Sequence, residues 1–284
     1  MSFQEFYSII SPTLPMRKAP DCKSEVVSEG LFSESVHVLE EKGEWAYIKS
    51  LIDNYMGWVN KDGICLKKLP SDGVDVGVID DGVVIVTTNR LAAHLYESPD
   101  IVYGPVITLP FESRLEVIDF KDDDSRWLEV LLPDARNAYV QRGDVKVYSS
   151  RMDFEQLCAF SRNFLGLPYT WGGRSSFGYD CSGFVQMLYR QMDVFLPRDS
   201  KDQFVCSKFR DKAVLELLAG DLIFFGSSED PIRHVGMSLG GGRFIHTSAV
   251  AENMPFLRIS NVSDPAWNGA GYYPFIAGRS PISS

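Results

Sequence analysis

The chain repeats itself before residue 150. Residues 34–49, ESVHVLEEKGEWAYIK, and then MGWV at 56–59, return as ESRLEVIDFKDDDSRWLEV at 112–130 and NAYV at 137–140. Each copy has an alternating apolar stretch, an acidic turn, a tryptophan (Trp45, Trp127) opening a second stretch, and a short aromatic–valine stretch. Alternation puts apolar side chains on one face of a strand. Short strands cut by frequent turns build small barrels. A shared pattern at a fixed offset indicates internal duplication. Pro20 and Pro99 hold matching places, read as lying ahead of each copy's strands. One larger β-domain with chance similarity is the alternative. Between the copies, GVDVGVIDDGVVIVTTNR alternates around Asp80-Asp81-Gly82, which predicts strands joined by a tight turn rather than a loose linker.

The texture changes near residue 150. Phe154, Leu157, Cys158, Phe160 and Phe164 recur at helical spacing, with Ser150 as a candidate cap and Gly166 and Pro168 as the stop. A second helix is expected from Cys181 through SGFVQMLYRQM, burying Phe184, Val185, Leu188 and Met192. Three predicted strands follow: DLIFF, HVGMSLG and RFIHTS. Helices first and then an antiparallel sheet make an α+β domain. The expected organisation is a first barrel with an N-terminal extension over 1–70, a connecting hairpin and second barrel over 71–149, and an α+β domain over 150–284.

A net charge of −10 and a pI near 4.9 argue against a nucleic-acid partner and against an anionic membrane surface. No apolar run is long enough to span a bilayer. The N-terminal residues, MSFQEFYSIISPTLPMRKAP, do not read as a secretory signal. Cys22, Cys65, Cys158, Cys181 and Cys206 are odd in number and widely spaced, with no C-x-x-C. That argues against a disulfide framework or a zinc site, and the expected location is the cytoplasm.

Cys181 stands in YDCSGF at a predicted helix start. The unpaired N–H groups and the dipole there favour a thiolate, the nucleophilic form. Alone, such a cysteine is more often a small buried residue. The four histidines change the weighting. His37 and His94 fall in the barrel region and read as ordinary strand or loop residues. His234 and His246 fall on consecutive strands joined by a glycine turn, so they can lie side by side and face a helix packed on the sheet. A thiol, an imidazole and a polar group that orients the imidazole are what a cysteine nucleophile needs.

The barrel region resembles bacterial SH3-like barrels, over about residues 14–67 and 88–148. The segments LPYTWGGRSSFGYDCSGFVQ, LPRDS, GDLIFF, HVGMSL and FIHTS resemble the NlpC/p60 family of papain-like cysteine peptidases, in the family's order, over about residues 150–281. The resemblance implies a papain-like α+β catalytic domain preceded by two SH3-like barrels. It implies Cys181 as nucleophile, His234 as base, His246 as the residue orienting it, and Tyr169 with the Cys181 N–H as oxyanion donors. Tyr169 could instead be a core tyrosine. Trp171 would shape the cleft wall, with a purely structural role the alternative, and Gly172 and Gly173 would allow a tight backbone beside it. Asp180 and Ser182 would bind a free amino terminus, with a helix-capping role the alternative for Asp180. Tyr55 would close the amine pocket. Arg198 is read as a surface ion pair or a contact to a substrate carboxylate. No metal or organic cofactor is implied. The implied reaction is hydrolysis of the γ-D-glutamyl bond to a diamino acid in peptidoglycan-derived peptides. A recycling enzyme for short peptides with a free L-Ala end is the leading expectation. The alternatives are an exported endopeptidase acting on intact wall, with barrels that bind wall polymer, a binding module with a dead catalytic domain, and an acyltransferase on the same fold.

Overall fold

The computed structural model describes residues 6–67, 84–119, 125–147, 151–227, 232–249, 255–267, 273 and 275–282. It divides into two compact units, Met1–Ser150 and Arg151–Ser284. Only the second half of the expected hairpin around Asp80-Asp81-Gly82 is among the described residues.

The first unit holds two barrels. The strands of the first are β1 (Phe6–Ile9), β2 (Thr13–Arg17), β3 (Val26–Leu31), β4 (Ser35–Lys42), β5 (Trp45–Ser50), β6 (Met56–Asn60) and β7 (Ile64–Lys67). Those of the second are β8 (Val84–Thr88), β9 (Ala92–Tyr96), β10 (Ile107–Pro110), β11 (Arg114–Asp119), β12 (Trp127–Leu131), β13 (Asn137–Gln141) and β14 (Val145–Val147). The sheet orders are β3-β2-β6-β5-β4-β1-β7 and β10-β9-β13-β12-β11-β8-β14, the same order advanced by seven strands. The duplication is therefore one of topology as well as of sequence. Trp45 and Trp127 open equivalent strands, and a 3-10 turn precedes the last strand of each barrel (Lys61–Gly63, Arg142–Asp144). Pro20 and Pro99 are also equivalent, but they sit between the second and third strands rather than ahead of the set.

Alternation sets the two barrel cores. Ala46 and Ile48 on β5 point inward with Ile9, Leu14, Met16, Val36 and Val59. Leu128 and Val130 on β12 do so with Val86, Leu95, Leu109 and Val140. Each fully buried aliphatic side chain stabilises by roughly 1.5–3 kcal/mol. Phe32, in the turn after β3, packs into the second barrel's core and ties the two together. The Cys65 thiol, donating to the Pro133 carbonyl at 3.2 Å, adds a second tie.

The second unit carries helices α1 (Phe154–Ser161), α2 (Cys181–Arg190) and α3 (Ser200–Phe204). Asp153 caps α1. Its carboxylate accepts the Gln156 N–H and the Gln156 side chain accepts the Asp153 N–H, a reciprocal capping box. The expected cap, Ser150, lies outside the described residues. A small hairpin, β15 (Arg174–Ser175) and β16 (Gly178–Tyr179), leads into α2. The main sheet comprises β17 (Phe209–Lys212), β18 (Leu222–Gly226), β19 (His234–Gly240), β20 (Arg243–Thr247), β21 (Leu257–Asn261) and β22 (Phe275–Pro281), in the order β17-β22-β18-β19-β20-β21. The three expected strands are β18, β19 and β20. β17, β21 and β22 complete the sheet beyond expectation. The last strand in sequence enters the sheet between β17 and β18, a long-range pairing that no local pattern announces. Helix α2 lies across β19 and β20, which sets its first residue over the strands that bear the histidines.

Candidate active site

Cys181 is the first residue of α2, and Asp180 is the cap, accepting the Gly183 N–H at 2.7 Å. The segment before the helix folds back onto it. A side chain at Gly183 would meet the Gly173 carbonyl oxygen at 2.3 Å, so glycine lets Trp171–Gly173 lie against the helix start. The close approach at Gly183 is made by the chain itself. Tyr169, on the same segment, is held by its N–H to the Pro255 carbonyl at 2.8 Å. Trp171 projects outward and is 63% exposed.

The sulfur of Cys181 sits against the start of β19, receiving the N–H of Val235 and that of Ser182. It is packed round by protein, yet the residue keeps part of its surface open. His234 Nε2 lies 2.9 Å from His246 Nδ1, and His246 Nε2 lies 2.9 Å from Ser260 Oγ. Cross-strand glycine makes the histidine contact possible. A side chain at Gly236 would meet the Phe244 ring at 2.9 Å and the His246 Cβ at 3.1 Å. Both imidazoles are buried (3% and 0% exposed), walled by Trp267, whose ring is 5.2 Å from His234 and 4.6 Å from His246. Tyr273 stacks on His234 at 5.9 Å.

This burial sets the charge states. It pushes the Cys181 thiol up to about 12, and the Asp180 carboxylate adds to the shift; the Val235 N–H, Arg198 and the Ser182 N–H oppose it. Burial, with the Arg258 cation adding to it, pulls His234 down to about 3 and His246 well below its ordinary range. The helix start therefore does not leave a standing thiolate, as its dipole alone would suggest. The resting pair is a thiol and a neutral imidazole. Burial raises the Tyr169 phenol, and the Asp180 carboxylate and any charge that forms on Cys181 add to the shift, so it stays protonated. Burial and Cys181 likewise take Tyr273 up to about 12.

Arg198 is neither exposed nor on the surface. It is 2% exposed and grips Asp180 with both terminal nitrogens, at 3.0 Å to Oδ1 and 2.5 Å to Oδ2, while also donating to Ser182 Oγ at 2.9 Å. Asp180 thus caps the helix and pairs with a buried guanidinium. Ser182 closes the set by donating to Asp180 Oδ1 at 3.2 Å. Tyr55 belongs to the first unit, in the turn before β6, where its ring packs against the first barrel's core. Cys181, Tyr169, Asp180, Ser182, His234 and His246 are brought together within the second unit. Among the described residues, no group of three or more His, Cys, Asp and Glu is placed to hold a metal ion.

Sequence reasoning did not single out Ser260, Gly236, Trp267 or Tyr273. The spacing of His234 and Gly236 carried a signal, because two residues along a strand share a face. Ser260 carried none, since its strand pairs with β20 only in three dimensions.

A cysteine at the head of a helix, laid over an antiparallel sheet that presents two bonded histidines, defines a papain-like cysteine peptidase. Residues 166–270 match the NlpC/P60 family, and residues 16–64 match the bacterial dipeptidyl-peptidase Sh3 domain. The gamma-D-glutamyl-L-lysine dipeptidyl-peptidase of Bacillus subtilis (strain 168) is 30% identical over 249 residues, 84% of this chain and 78% of that one. The protein of the same name from Bacillus cereus (strain ATCC 10987 / NRS 248) is 28% identical over 253 residues, 84% of this chain and 72% of that one. The crystal structure of a NlpC/P60 family protein from Bacillus cereus ATCC 10987 shares the fold, with a TM-score of 0.78 at 22% identity, over 98% of this chain and 100% of that one. The chain belongs to the NlpC/P60 family of cysteine peptidases.

Proposed function

We propose that the chain hydrolyses the γ-D-glutamyl–diamino acid bond of short peptidoglycan peptides that carry a free N-terminal L-Ala. One observation carries the chemistry: the Cys181 sulfur rests on the N–H of Val235, the residue after His234, and His234 Nε2 is already engaged by His246. Nδ1 of His234 is then the nitrogen that takes the thiol proton as sulfur attacks the carbonyl. The oxyanion is held by the Cys181 N–H and the Tyr169 hydroxyl, whose raised pKa keeps it a donor. His234 returns the proton to the leaving amine of the diamino acid, leaving a thioester. Water, deprotonated by the same imidazole, releases the dipeptide acid and restores the thiol. In this cycle the imidazolium forms only while a negative oxygen or sulfur stands nearby.

The preference for a free amino end is supported by the relatives' names, by the match to a dipeptidyl-peptidase Sh3 domain, and by Asp180 and Ser182 flanking the nucleophile. Arg198 holds the carboxylate in a fixed orientation, and a carboxylate so held can pair with an ammonium group. The test compares L-Ala-γ-D-Glu-L-Lys with the same peptide N-acylated by a muramic acid group, and with intact sacculi. The proposal requires cleavage of the free peptide alone, abolished by Cys181→Ala. Equal cleavage of all three identifies a wall endopeptidase instead. Transfer of the acyl group to an acceptor other than water identifies an acyltransferase.

A further inference from the structure

Behind the two histidines, β21 supplies a hydroxyl that the cycle above does not use. In the β20–β21 ladder, His246 pairs with Arg258 and Phe244 with Ser260. Residues two apart share a face, so Ser260 lies on the same side of the sheet as His246. Ser260 is 9% exposed and its Oγ is 2.9 Å from His246 Nε2.

A neutral imidazole has one N–H and one lone pair. The bond between His234 Nε2 and His246 Nδ1 can therefore run in either direction while both rings are neutral. If His246 donates, His234 keeps its proton on Nδ1 and has no lone pair for the thiol. Once His234 becomes an imidazolium, only one direction survives. His246 Nδ1 must accept, so its own proton must be on Nε2. That N–H belongs to a residue that is 0% exposed, so it needs a protein acceptor. Ser260 Oγ is the atom at hydrogen-bond distance.

We propose that Ser260 is a positioning residue. By accepting from His246 Nε2, it fixes His246 as the acceptor that His234 needs to hold the thiol's proton. The inference rests on the peptidase reading. Its hydrogen bond matters most in the charged state, so its loss lowers kcat rather than raising KM.

Two variants of equal size isolate the hydroxyl. Ser260→Thr keeps it, and Ser260→Val replaces it with a methyl. With L-Ala-γ-D-Glu-L-Lys, the valine variant should lose about tenfold in kcat with KM within about twofold, while threonine restores most of kcat. Ser260→Ala repeats the test without added bulk, should valine disturb the strand. In parallel, 15N-histidine NMR of the whole chain reads the tautomers with no turnover needed. Wild type should show His246 protonated on Nε2 and bare on Nδ1, and the alanine variant a mixture. Equal kcat in Thr, Val and Ala variants, or wild-type His246 protonated on Nδ1, overturns the proposal. A wild type that cuts none of the peptides defeats the functional reading alone, because the tautomers still decide the role of Ser260.

Discussion

The two units keep different chemistry inside. The barrel interiors are mostly Leu, Val, Ile and Ala, with Met16, three aromatics and a few hydroxyls, and among the described residues their one buried carboxylate or basic group is Glu34, whose carboxylate accepts the Leu31 N–H at 2.9 Å. The catalytic unit buries Arg174, Asp180, Arg198, Asp221, His234 and His246. Taking such groups out of water is costly unless each is bonded or neutral. Here the solutions differ by group. Asp180 and Arg198 stay charged and neutralise one another, whereas the histidines give up their charge to burial. The barrels are held by apolar packing. The catalytic unit holds its polar groups in arrangements that fail when one partner is removed.

The largest effect expected from this contrast is at Arg198. Arg198→Met strands a buried carboxylate and should destabilise the catalytic unit by about 3–5 kcal/mol in urea unfolding. A loss below about 1 kcal/mol would mean that water reaches Asp180 and the pair is not buried in solution.

Acid is a gentler lever on the same contrast. The folded His234 titrates near 3, below the ordinary value of about 6.5, so the unfolded chain binds its proton first. The stabilisation is complete above about pH 6.5 and is lost as pH falls toward 3. Within that window His234 loses on the order of 1 kcal/mol per pH unit, and His246 shifts in the same direction. Hydrogen exchange at about pH 4 should therefore open β19 and β20 before the barrel strands. Barrels that open first would break the comparison.

The smallest effect belongs to the barrels' surface. Arg90 pairs with Asp144 at 3.3 Å with its side chain 62% exposed, so Arg90→Met should cost under about 1 kcal/mol. A cost near that of Arg198→Met would erase the distinction between the two kinds of ion pair.

The contrast also explains which parts were legible in the sequence. The barrels were readable because alternation is local: the residues after Trp45 and Trp127 declare their inward faces one strand at a time. The first strand, FYSI, is not a clean alternation, and the barrel starts earlier than its motifs suggest. Cys181, His234 and His246 were readable as a set because one helix start and two adjacent strands bring them together. Asp153 with Gln156 has the spacing of a capping box, a local signal as readable as the hydroxyl of Ser150. The rest depends on surroundings assembled from distant segments. Arg198 looks like a surface residue until α2 covers it. The thiol's direction of shift reverses once burial and Asp180 outweigh the helix start. Ser260 matters only because β21 pairs with β20.

The claim at the centre is that the catalytic unit rests with an uncharged Cys181 and His234, and separates charge only with substrate in place. The difference in thiolate ultraviolet absorbance between wild type and Cys181→Ser, followed without substrate from about pH 5 to about pH 9, tests it directly. An uncharged pair gives a flat difference across that range. A step of one thiolate with its midpoint below about pH 7 would contradict it, and would show a standing thiolate–imidazolium pair in its place.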